Sequence, residues 1–209
     1  MHDHLRDPVA ITERSFALIR AEVPLGRFPP ALHGLVLRLV HACGMPDIAD
    51  DLAWSGDVAT AGRAALAGGA PILADARMTA AGVMTARLPA GNRLVVTLDY
   101  EETRATAARL GTTRSAAAVE LWRPHLDGAV VAIGNAPTAL FHLLERLRQW
   151  PERPAAILAF PVGFVGAAES KEALIAVGLE VPWVTLRGRR GGSSVAAAAV
   201  NALLVDAGP

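Results

Sequence analysis

From residue 71 onward the chain alternates short apolar runs with stretches of helical periodicity, and few folds accommodate that alternation. The runs fall at 71–74, 94–98, 129–133, 156–160 and 183–186. Segments such as Val130-Val131-Ala132-Ile133 carry no polar face, so they read as buried strands. Helical stretches follow most of them, over 101–110, 115–122, 137–150, 168–177 and 192–204, with a short helix expected within 76–87. Strand followed by helix is a βα unit, and such units build a parallel sheet covered by helices on both faces. A helical portion precedes this region. Asp7-Pro8 supplies an N-cap acceptor and a first-turn proline. Near Pro30 a second helix begins, with Leu32, Leu35, Val36, Leu39, Val40 and Cys43 as its apolar stripe, and Gly44 and Pro46 stop it. A third should run from after Ser55 to Gly68-Gly69. Pro89-Ala90-Gly91-Asn92 is a plain turn rather than a linker, so residues 1–209 are expected to form one α/β domain.

Charge and composition exclude several function classes. Lys+Arg and Asp+Glu are both 20, which leaves none of the basic excess that nucleic-acid binding needs. Cys43 is the one cysteine, so neither an internal disulfide nor a cysteine-rich metal site is expected. The histidines show no metal-ligand spacing with a third partner, so no metal is expected. No apolar run is long enough to cross a bilayer, and the reading is a soluble, cytoplasmic protein. The closing Gly-Lys-Ser/Thr of a phosphate loop, the dinucleotide glycine fingerprint and the Gly-x-Ser-x-Gly elbow are all missing.

In open α/β sheets ligands bind at the carboxyl ends of the strands. The most unusual such end is Arg187-Gly188-Arg189-Arg190-Gly191-Gly192-Ser193-Ser194. Its glycines admit close backbone approach, its arginines are forked donors for carboxylates, and the next helix adds free N–H groups. The same segment also reads as a surface turn with solvated arginines. Gly134-Asn135-Ala136-Pro137-Thr138 is a second strand-to-helix turn, with Asn135 as its expected cap. Lys171, the only lysine, follows a third and on its own reads as a solvated charge. On the second helix Arg38 and His41 stand three residues apart, so they point roughly the same way. His41 lies in the last turn, where the helix dipole favours a positive charge. A carboxylate docked on Arg38 would remove the repulsion between the two side chains, making His41 a candidate proton donor to an anionic ligand.

Over nearly its full length the chain resembles the precorrin-8X methylmutase family. The matching stretches are Arg6-Asp7-Pro8 with Ser15-Phe16, Val40-His41-Ala42-Cys43-Gly44-Met45, Ala74-Asp75 with Met78, and Gly134 to Leu140. Strongest are Pro161-Val162-Gly163-Phe164-Val165-Gly166-Ala167-Ala168-Glu169-Ser170-Lys171 and Gly188-Arg189-Arg190-Gly191-Gly192-Ser193-Ser194 ahead of Asn201-Ala202-Leu203. The resemblance implies a three-layer α/β/α fold, here around a five-stranded parallel sheet. It implies a homodimer with sites between subunits, and an isomerase that moves a methyl group from C-11 to C-12 of precorrin-8X to give hydrogenobyrinate. No cofactor or methyl donor would be consumed. His41 matches the family's catalytic histidine, and Ser15 and Arg38 match substrate-contacting positions. The substrate is an apolar disc edged by acetate and propionate arms. Lys171, Arg187, Arg189, Arg190, Gly191, Gly192, Ser193, Asn135 and Thr138 are therefore expected around those arms. Two alternatives share this pocket: a methylmutase for cobalt-precorrin-8, and a non-catalytic corrinoid carrier.

Overall fold

Asp7 accepts hydrogen bonds from the Val9 and Ala10 N–H groups, and Pro8 takes the first helical position, so helix α1 (Pro8–Glu22) begins at the predicted signal. The computed structural model describes residues 4–204. A 3₁₀ turn, Pro30–Leu32, leads into α2 (His33–Cys43). Gly44, at φ 68°, ends it in the left-handed conformation, and its N–H closes on the Val40 carbonyl at 2.8 Å.

The remaining elements are β1 (Leu52–Ser55), α3 (Val58–Ala67), β2 (Ile72–Ala74), α4 (Arg77–Ala81), β3 (Leu94–Val95), α5 (Glu101–Leu110), α6 (Arg114–Glu120) and α7 (Arg123–Leu126). They continue with β4 (Val130–Ile133), α8 (Pro137–Leu147), β5 (Ala156–Ala159), α9 (Ala167–Ala176), β6 (Trp183–Leu186) and α10 (Ser193–Leu203). The sheet order is β1-β6-β5-β4-β2-β3. All neighbours are parallel except β1, which runs antiparallel to β6 with Leu52 opposite Leu186 and Ser55 opposite Trp183.

The expected five-stranded sheet therefore has six strands. Leu-Ala-Trp-Ser is too short to show a strand period, and at the sheet edge only Leu52 of the four is buried. The five parallel strands were legible because β2, β4, β5 and β6 are buried along their whole length.

Alternate strand residues feed two separate cores. Ile72, Val130, Ala132, Ala156, Leu158, Val184 and Leu186 pack under α1, α2, α3 and α10. Leu73, Val131, Ile133, Ile157, Ala159 and Trp183 pack under α6, α8 and α9. From Val195 to Leu203, α10 is buried at every position, sandwiched between the sheet and α2.

Candidate active site

Helix α2 buries Leu35, Val36, Leu39 and Val40 and so fixes the outward direction of Arg38 and His41 at its carboxyl-terminal end. His41 is exposed, and its Nδ1 lies 2.8 Å from Ser15 Oγ on α1. A hydroxyl both donates and accepts, so Ser15 can serve either a neutral or a protonated imidazole. In both states Nε2 is left without a protein partner among the described residues. Phe16, next along α1, stands between the two basic side chains. Its ring centroid is 5.1 Å from that of His41 and 5.7 Å from Arg38 Cζ. Burial, and after it the like charge of Arg87, holds the Arg38 guanidinium below its usual value.

Grooves open on both sides of the imidazole. One, of about 220 Å³, lies between α2 and α10, with Arg38, His41, Met84, Ser194 and Asn201 on its walls. The other, of about 240 Å³, is bounded by Ser15, Glu22, His41 and Pro46. Asn201 sets the far wall of the first. Its side-chain oxygen accepts from the Met84 N–H at 2.8 Å, and its amide donates to the Gly82 carbonyl at 2.8 Å. Gly82 is what allows the close approach, since a Cβ there would meet Ala197 Cβ at 2.6 Å.

An exposed imidazole held through one nitrogen, beside a half-buried arginine and flanked by apolar walls, suits proton transfer to a flat anionic ligand. The family model for precorrin-8X methylmutase matches residues 10–205. The chain belongs to the precorrin-8X methylmutase family. It is 59% identical to the precorrin-8X methylmutase of Pseudomonas aeruginosa, with 99% of each chain covered. To that of Sinorhizobium it is 56% identical, covering 97% of this chain and 96% of the relative. A cobalt-precorrin-8 methylmutase of Priestia megaterium is 34% identical, with 96% and 90% covered. The solved precorrin-8X methylmutase of Thermus thermophilus superimposes with a TM-score of 0.85 at 40% identity, covering 94% of each chain. Membership makes the chain an isomerase of cobalamin biosynthesis.

Among the residues expected at the methylmutase site, the structure brings Ser15, Arg38 and His41 together and disperses others. Lys171 is fully buried, and its Nζ donates to the Arg190 carbonyl at 2.7 Å. Burial first, opposed by Asp51 and Glu172, pushes its ammonium down to about 8. Arg190 bridges Asp47 and Asp51 at 2.5 Å each, tying the glycine-rich loop to the segment after α2. Arg187 pairs with Glu172 at 2.7 Å. Arg189 projects outward, 5.2 Å over the exposed Phe164 ring. It shares a groove of about 270 Å³ with Met45, Val162 and Gly191. Gly191 packs against backbone, where a Cβ would lie 2.3 Å from the Phe160 oxygen, and the Gly192 N–H donates to that same oxygen. Thr138 accepts from the Thr113 hydroxyl on the α6 side.

Among the described residues no side chain caps α8, so Asn135 does not; Asp75, from the end of β2, instead holds the turn that leads into α8. Its Oδ1 accepts from Gly134 N, and its Oδ2 accepts from Asn135 N and Ala136 N, at 2.8–3.0 Å. Thr79 Oγ1 is 3.0 Å from both Asp75 Oδ1 and Ser193 Oγ. A carboxylate only accepts, so Thr79 donates to Asp75 and Ser193 donates to Thr79. This buried chain links the starts of α4, α8 and α10. The signals for it were Asp75 closing an apolar strand, and for the groove wall, Asn201 as the one amide in an alanine- and valine-rich helix. Among the described residues no group of three or more His, Cys, Asp and Glu could hold a metal ion, and no helix is long and apolar enough to cross a membrane.

Proposed function

We propose that the chain converts metal-free precorrin-8X to hydrogenobyrinate, with His41 protonating the macrocycle to drive the methyl group from C-11 to C-12. The hydrogen bond between Ser15 and His41 Nδ1 carries this reading, because it presents Nε2 to the grooves. Protonating the conjugated ring draws electron density away from the migration terminus, the methyl group moves there from C-11 with its bonding pair, and the proton returns to the same histidine nitrogen once the methyl group has moved. One positioned acid contributes roughly 10²–10⁴-fold. The rest is differential binding by the apolar walls and by Arg38, which meets a carboxylate arm. Arg189 and the Gly188–Ser193 loop would edge a second arm. The metal-free substrate is favoured over cobalt-precorrin-8 because the 59% and 56% identical relatives are precorrin-8X methylmutases, whereas cobalt-precorrin-8 methylmutases matched at similar length are 30–37% identical.

His41 lies at the surface, and Phe164 and Val165 are 83% and 89% exposed. Both features suit a homodimer of single-domain subunits in the cytoplasm, in which a second copy shields the bound macrocycle. The test mixes purified protein with metal-free precorrin-8X and follows the visible spectrum. Wild type should produce the corrin absorption. His41→Ala should abolish it while still binding hydrogenobyrinate. Conversion by His41→Ala at the wild-type rate would remove the catalytic assignment.

A further inference from the structure

Helix α10 is seated on glycines. A Cβ at Gly62 would lie 2.6 Å from Leu203 Cδ1, one at Gly82 would lie 2.6 Å from Ala197 Cβ, and one at Gly134 would lie 2.6 Å from Ser193 Cα. Of the three, Gly82 lines the groove beside His41, together with Met84, Ala197 and Asn201. Its backbone, at φ −82° and ψ −8°, is open to alanine, so space and not conformation calls for the glycine. Asn201, itself buried, bonds across the same contact. Its side chain accepts from the Met84 N–H and donates to the Gly82 carbonyl, both at 2.8 Å. At about 220 Å³ the groove is smaller than the roughly 300–1,000 Å³ of a pocket that encloses a whole small ligand, so it suits one edge of a macrocycle.

We infer that Gly82 and Asn201 are positioning residues that set the width of this groove: the missing Cβ seats residues 82–84 directly on α10, and the Asn201 amide holds them there. Carbon atoms in contact stand about 3.5–4.0 Å apart, so a methyl group at residue 82 would have to part the two elements by about 1 Å. Helix α10 cannot give way, because it is buried at every position from Val195 to Leu203 between the sheet and α2. The shift falls instead on residues 82–84. It stretches both Asn201 bonds beyond hydrogen-bonding range and moves the wall to which Met84 belongs. His41 and Ser15 stand on α2 and α1 and keep their places. The inference deepens the proposed function and rests on it for the identity of the ligand.

Variants of the full chain test it. A misfit of one methyl group in an apolar slot is worth roughly 10–200-fold, so Gly82→Ala should raise KM for precorrin-8X at least about tenfold. The Kd for hydrogenobyrinate, titrated by absorbance, should rise in step. The kcat should stay within about threefold, because the wall holds substrate while the proton donor is on another helix. Adding Ala197→Gly to Gly82→Ala removes the opposing methyl group. KM and Kd should then return to within about twofold of wild type, although a glycine inside a helix lowers the melting temperature. Gly62→Ala crowds the same helix at Leu203, outside the groove, and should lower the melting temperature with KM unchanged. Asn201→Ala releases the wall without adding bulk and should also raise Kd, so it carries the test if Gly82→Ala does not fold. A KM and Kd within twofold of wild type in whichever of these two variants folds would overturn the inference. So would a Kd that tracks melting temperature across the set, Gly62→Ala included. Failure of wild type to convert precorrin-8X would instead strike at the proposed reaction, and the hydrogenobyrinate titrations would still decide the role of Gly82 and Asn201.

Discussion

Replacing Asp75 should separate a hydrogen-bonding role from a merely space-filling one. The carboxylate is 2% exposed and accepts three backbone N–H bonds and one hydroxyl bond. Its two oxygens differ in how replaceable they are. Oδ2 serves two rigid donors, the Asn135 and Ala136 N–H groups. Oδ1 serves one rigid donor, the Gly134 N–H, and one that can rotate, the Thr79 hydroxyl. In Asp75→Asn the amide will therefore turn its NH₂ to the Oδ1 side. Thr79 can then accept from it and donate to Ser193, so only the Gly134 N–H is orphaned. A buried unsatisfied group costs about 1–3 kcal/mol, so the asparagine variant should lose about 2 kcal/mol. Asp75→Ala orphans all three N–H groups and opens a void, for a loss of about 4 kcal/mol. At about 2–4 °C per kcal/mol for a chain of this size, the melting temperatures should fall by about 4–8 °C and about 8–16 °C respectively. Urea titrations followed by the fluorescence of the four tryptophans, compared at constant slope, give the same ordering independently. Equal losses for Asn and Ala, or losses below about 1 kcal/mol for both, would refute this account of the carboxylate. Thr79→Val should make the asparagine substitution costlier, since the rotating acceptor is then gone.

Two further perturbations follow from the same geometry. Lys171 is pushed down to about 8 from an ordinary 10.5. Between those values the unfolded chain binds more protons than the folded one, so stability should rise with pH across that window. Lys171→Met should flatten the rise, and stability curves from pH 7 to 11 that stay parallel would contradict it. Gly191→Ala places a Cβ 2.3 Å from the Phe160 carbonyl oxygen, at φ 158°. It should cost about 2–4 kcal/mol, whereas Gly188→Ala, with nothing within 4 Å, should cost only about 1–2 kcal/mol for its left-handed φ. Matched melts of the two variants check the difference.

The parallel strands were readable because a strand buried on both faces must be apolar throughout, as in Val130–Ile133. Helix α2 was readable because its stripe and its Gly44 stop are local. The edge strand β1 was not, since its identity depends on a partner strand about 130 residues later. Charge pairing was equally hidden. Nothing near Arg190 in sequence announces Asp47 and Asp51, which lie 143 and 139 positions away. Lys171 read as solvated because its neighbours on α9 are polar, but the fold buries it beneath the loop whose carbonyl it binds. Asp75 stands in a family motif, but its hold on the turn before α8 is hidden in the sequence, because its donors come from a different strand end. His41, Arg38 and Ser15 were legible through resemblance. Their convergence depends on α1 crossing α2, which no local pattern encodes.

The alternation of side chains along β2, β4, β5 and β6 makes the sheet a partition wall. His41, Ser15, Arg38 and the α10 groove all lie on one side of it, while α6 and much of α8 form a foundation on the other. Repacking the foundation, at Leu143 or Trp122 for example, therefore tunes how firmly the molecule stands without remodelling the room where the macrocycle is held. Directed evolution of this scaffold can treat durability and ligand choice as two nearly separate design problems, with the Asp75 chain as the doorway through which they communicate.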